Sequence, residues 1–169
     1  MRLFIAFDVS EEIKSYCRQI QEQLPDSDSK IVKDFHLTLR FLGECDEEET
    51  KDIIRKLNQV KFSSFKAKTS DLSVFPDENF IRVVWLGLEP KDKIVELKER
   101  VEKELNLTRD ERFHPHITLA RIKFLKNKSD YINKLKEIKI KEVEFEVNKI
   151  KLYKSELTKE GPVYEVIET

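Results

Sequence analysis

The chain has 169 residues, 39% of them hydrophobic and eleven of them phenylalanine, enough apolar material to bury the core of one domain spanning residues 1–169. Its 32 basic and 33 acidic residues balance, which excludes a protein that coats duplex backbone through a broad basic field but leaves room for a local pocket that takes a nucleic-acid end. Cys17 and Cys45 lack CxxC spacing, which excludes a disulfide framework or a zinc knuckle and leaves two reduced thiols.

Residues 2–8, RLFIAFD, read as a strand. Ser10 before Glu11 and Glu12 reads as a helix N-cap with an acidic first turn, and Ile13, Tyr16, Cys17 and Ile20 form the apolar stripe. Residues 25–29 read as a polar loop and residues 35–41 as a strand that Gly43 ends. Residues 47–60 follow as a helix carried by Ile53, Ile54, Leu57 and Val60. Residues 65–74 and 80–88 are strands joined by a turn at PDEN, residues 76–79. A third helix over 91–105 uses Ile94, Leu97, Val101 and Leu105. A strand at 117–122, a short helix at 130–136, an extended run over 139–157 and a last strand at 163–168 complete the chain.

This order is α+β. The first strand is not followed by a Gly-rich phosphate loop, so a Rossmann or P-loop protein lacks its signature here. The start turns acidic too early for a signal peptide, and no apolar run approaches about 20 residues. The expectation is a cytoplasmic, membrane-free monomer. Helices of similar size at 11–24 and 91–105 each precede a His-x-Thr-Leu strand. That repeat predicts an internal duplication whose two lobes face each other across a cleft.

The chain has three histidines, and two of them begin those strands. Strand side chains alternate, so His36, Thr38 and Arg40 share one face while Leu37, Leu39 and Phe41 share the other. In the second copy His116 and Thr118 share a face. Arg121 falls on the apolar parity and reaches the histidine face only if the strand bends near Ala120. A single histidine on a strand is usually a half-buried polar residue; two matched His-Thr pairs suggest chemistry. One neutral and one protonated imidazole serve as base and acid near neutral pH. Two threonine hydroxyls donate to phosphate oxygens, and an arginine neutralises their charge. The residues thus point to a phosphodiesterase that needs no metal or other cofactor.

The stretches HLTLRFLGE at residues 36–44 and HPHITLAR at 114–121 resemble the paired signatures of the 2H phosphoesterase superfamily. The likeness is to the 2'-5' RNA ligase group, also described as RNA 2',3'-cyclic phosphodiesterases. RLFIAFDV at 2–9, YKSEL at 153–157 and GPVYEVI at 161–167 extend it over the whole chain. The resemblance implies a bilobal fold, two pseudo-symmetric antiparallel sheets with outer helices around a central groove. It implies His36 and His116 as the catalytic pair and Thr38 and Thr118 as phosphate ligands. Arg121 and, secondarily, Arg40 are the cations nearest the motifs. The implied partner is an RNA 3' end bearing a 2',3'-cyclic phosphate, or a small cyclic nucleotide, opened to a 2'-phosphate; the reverse reaction would form a 2'-5' linkage. The segment KIVKDF at 30–35 departs from the family pattern of a tryptophan followed by Pro-x-Asn. Two rival readings stand beside this one. His36, His114 and His116 would supply the ligand count of a zinc hydrolase, and an RNA-end binder without turnover would need the phosphate pocket but not both histidines.

Overall fold

Strand β1, Arg2–Asp8, is buried from Leu3 to Phe7. Its apolar run is unbroken because both faces are covered. Leu3, Ile5 and Phe7 enter the main core, whereas Phe4 and Ala6 pack with Tyr153 on the opposite side. The computed structural model describes residues 1–167. Helix α1, Glu11–Gln23, starts where expected: the Ser10 hydroxyl accepts the Ile13 N–H at 3.2 Å, and Ile13, Tyr16, Cys17 and Ile20 are its buried stripe.

The elements that follow are β2 (Asp28–Ile31), β3 (His36–Glu44), α2 (Glu47–Leu57), β4 (Phe65–Asp77), β5 (Phe80–Glu89) and α3 (Lys91–Glu104). Then come β6 (His116–Phe124), α4 (Lys128–Lys136), β7 (Glu144–Val147), β8 (Lys151–Thr158) and β9 (Gly161–Ile167). One sheet has the order β3-β1-β8-β9 and the other β2-β6-β5-β4-β7, with antiparallel pairing throughout. This is the expected α+β architecture of two antiparallel sheets with helices. The duplication is visible in the numbering: β3 and β6 begin eighty residues apart, as do α1 and α3.

Several boundaries differ from the sequence reading. The expected loop at 25–29 runs into β2, an edge strand without a buried stripe, held by pairing to β6. The helix expected over 47–60 ends at Leu57. The last strand was expected to reach residue 168, which lies outside the described residues.

The register of the two histidine strands sets the geometry of everything between them. In β3, Thr38 pairs with Ala6 and Arg40 pairs with Ile5, so Leu39 is an extra residue. In β6, Thr118 pairs with Trp85 and Ala120 with Val84, so Leu119 is the extra residue. Each strand thus carries a bulge at the same place, three residues after its histidine. A bulge reverses the alternation beyond it. Leu119 and Ala120 are accordingly both buried, in different apolar clusters, and Arg121 emerges exposed.

Two polar ties join the lobes near these strands. The Gln21 amide of α1 donates to the Val32 carbonyl at 2.6 Å and to the Leu119 carbonyl at 2.9 Å, bracing the β6 bulge. On the other side Arg40 of β3 donates to Glu102 of α3 at 2.7 Å and to the Thr108 carbonyl at 2.9 Å. The buried Lys98 ammonium lies 3.0 Å from the Glu102 carboxylate, which also accepts the Asp110 N–H at 2.8 Å. These contacts order the loop that leads into His116.

Candidate active site

The two bulged strands bring one groove together. His36 and Thr38 from β3, and His116, Thr118 and Arg121 from β6, line a single cavity of about 430 Å³. Phe41, Asp34, Tyr164 and Arg2 are also on its walls. Arg40 does not reach it. The Leu39 bulge turns Arg40 to the opposite face, where Glu102 and the Thr108 carbonyl hold it, and turns Phe41 inward in its place. Phe41 and Arg121 therefore occupy matching positions, five residues after each histidine.

Each histidine sits in an aromatic setting. The His36 ring lies 5.0 Å from Phe4 and 5.7 Å from Tyr153, and Tyr164 meets it edge-on at 5.1 Å. Asp8 pairs with His36 across the strands. The His36 Nδ1 is buried without a hydrogen-bond partner. Burial is the largest influence on this imidazole and pushes its pKa down to about 4; the nearby Asp8 charge opposes the fall, and Arg121 and His116 deepen it.

His116 meets Phe75 edge-on at 5.0 Å and Trp85 at 6.0 Å. Its Nδ1 lies 2.7 Å from the His114 carbonyl oxygen. A carbonyl only accepts, so Nδ1 carries the proton and the neutral ring offers its Nε2 lone pair. Burial lowers the pKa of His116 as well, against the raising effect of that carbonyl bond.

His114 serves this turn with its backbone, and its ring packs on Trp85 at 4.7 Å. No group of three His, Cys, Asp or Glu side chains among the described residues is arranged to hold a metal ion, so the three-imidazole zinc set is not assembled. Phe35, immediately before the first catalytic-strand histidine, is 1% exposed and belongs to the core. Tyr153 lies under Phe4 and His36, while Tyr164 is on the wall. Phe41, Phe75 and Trp85 escaped the sequence reading. The equal five-residue spacing from each histidine was the one signal that would have singled out Phe41.

Two histidine strands from duplicated lobes, converging with paired threonines on one groove, define a phosphoesterase of the two-histidine class. The family model described as LigT like Phosphoesterase matches residues 4–85 and again residues 86–164, and the chain belongs to that family. It is 40% identical to the RNA 2',3'-cyclic phosphodiesterase of Methanocaldococcus jannaschii over 99% of this chain and 98% of that one. It is 35% identical to the enzyme of the same name from Thermotoga maritima, over 99% and 93%. A crystal structure of a Thermus thermophilus protein superposes with a TM-score of 0.79 at 30% identity, covering 99% of this chain and 96% of that one. Escherichia coli LigT complexed with NADP+ superposes at 0.76 with 25% identity, covering 99% and 95%.

Proposed function

We propose that the protein opens a 2',3'-cyclic phosphate at an RNA 3' end to a 2'-phosphate, with His36 as general acid and His116 as general base. The observation that carries this reading is the arrival of both His-Thr pairs and Arg121 in one groove through matched bulges. Water attacks phosphorus in line with the departing 3' oxygen. The His116 Nε2 takes the water proton, His36 gives a proton to the leaving oxygen, and the product carries a 2'-phosphate and a free 3'-hydroxyl. Thr38 and Thr118 donate to the non-bridging oxygens, and Arg121 offsets their negative charge. Acid, base and counter-charge are thus supplied by side chains, so the chemistry proceeds without a metal. In the free protein at pH 7 His36 is neutral, and the charge of the entering phosphate raises its pKa and restores the proton it must donate.

The same steps with an RNA 5'-hydroxyl in place of water as nucleophile on the cyclic phosphate form a 2'-5' linkage. The relatives' name supports the substrate class. NADP+, held by Escherichia coli LigT, carries a ribose 2'-phosphate, the group that the proposed product bears. Phe41, 73% exposed on the groove wall, offers its face to the terminal base. The test is hydrolysis of an RNA oligonucleotide ending in a 2',3'-cyclic phosphate, in excess EDTA. A 2'-phosphate product is expected. A 3'-phosphate would reverse the ribose orientation, and dependence on added zinc would overturn the paired-histidine mechanism.

A further inference from the structure

The groove does not end at Arg121. A second concavity of about 310 Å³ shares Arg121, Val32, Asp34 and Tyr164 with it and continues past Lys30 and Lys33 to the β8–β9 turn. Lys30 stands directly opposite Arg121 in the β2–β6 pairing. Residues opposed in this way point to the same face, so two cations lie side by side on the groove wall. Like charges so placed destabilise a sheet. Neither has an ion-pair or hydrogen-bond partner among the described residues, although Glu160 and Asp34 lie elsewhere on the same wall. The Lys30 ammonium reaches across to the other lobe, 3.5 Å from where a Cβ on Gly161 would sit. Gly161 has φ +116, a conformation that favours glycine, so the turn both needs the residue and leaves this space open.

A juxtaposition of two unpaired cations, continuous with a phosphate-binding groove, is relieved by an anion between them. We infer that Lys30, beside Arg121, forms a second phosphate subsite that holds the phosphodiester on the 5' side of the terminal nucleotide. The subsite rests on the proposed phosphodiesterase reading and deepens it. The terminal nucleotide spans the groove, its base toward Phe41 and its 5'-phosphate toward Lys30, and the RNA strand leaves over β2 past Lys33. The subsite makes a strand end, rather than a cyclic mononucleotide, the better substrate.

The experiment compares kcat/KM on an RNA oligonucleotide ending in a 2',3'-cyclic phosphate with kcat/KM on a nucleoside 2',3'-cyclic monophosphate, which has no 5'-phosphate. The wild-type protein should favour the oligonucleotide. Lys30→Gln should lower the oligonucleotide-to-mononucleotide ratio about tenfold, the size expected for one charge-assisted contact, and Lys30→Arg should restore most of it. The salt dependence of oligonucleotide binding should also become shallower by about 0.7 in log–log slope. An unchanged ratio in Lys30→Gln would overturn the subsite. So would an equal fall in Lys66→Gln, a cation on β4 outside both concavities, since that would indicate a diffuse field. Turnover of neither substrate by the wild type would refute the phosphodiesterase reading, and the subsite with it; turnover of the mononucleotide with no oligonucleotide preference would refute the subsite alone.

Discussion

His36 should titrate far below an ordinary histidine, and that can be tested through the stability of the protein. Its aromatic surroundings hold the pKa near 4 in the folded chain, against 6.5 when exposed. Between those values the unfolded chain binds a proton at this position that the folded chain refuses. The favourable contribution is therefore complete above pH 6.5 and lost as pH falls toward 4. The loss is on the order of 3 kcal/mol by pH 4. His36→Asn keeps a planar polar group but cannot titrate. Urea unfolding of both proteins at pH 7 and pH 4 isolates the effect, because carboxylates titrate alike in the two and cancel. The wild type should lose about 3 kcal/mol more than the variant. With three histidines in the chain, imidazole resonances followed by NMR give the same pKa directly. The same shift should place the maximum of kcat/KM below pH 6.5, with the maximum of kcat at higher pH once substrate is bound. A His36 that titrates at 6.5, or parallel loss of stability in both proteins, would refute the desolvation argument.

Replacing the 3' oxygen of the cyclic phosphate by sulfur gives a leaving group that needs no proton. His36→Ala should recover most of its lost rate on that substrate and His116→Ala should not; the opposite pattern would exchange their roles. Arg121→Gln should cost about 100-fold in kcat/KM with little change in Tm. Arg40→Gln should instead cost about 2 kcal/mol of stability, read by urea unfolding, because it removes the partner of the buried Glu102. Phe41→Ala should raise KM for RNA about tenfold, the size of one stacked base, and leave stability within about 0.5 kcal/mol, as expected for an exposed position.

The sequence carried the two histidine strands, the helices capped by Ser10 and preceding His116, and the antiparallel lobes, since each rests on local periodicity or on an eighty-residue echo. Strict alternation failed beyond Thr38 and Thr118 because a bulge leaves no signature in a single strand: Leu39 and Leu119 read as ordinary core residues. That one displaced residue decides that Arg40 braces α3 and that Arg121 and Phe41 face the groove. Strand β2 was illegible for another reason. It has no apolar stripe, and only the exposed edge of β6 makes it a strand. The aromatic settings of His36 and His116 draw on Phe4, Tyr153, Phe75 and Trp85, residues far apart in sequence whose meeting depends on the sheet order.

The most direct test of the central claim is single-turnover hydrolysis of the cyclic-phosphate RNA, in EDTA, by the wild type, His36→Ala, His116→Ala and the double variant. Paired acid–base catalysis predicts that each single change costs roughly 100-fold or more and that the double variant falls to background while retaining its fold. Hydrolysis by the double variant at a rate near that of the wild type would contradict it.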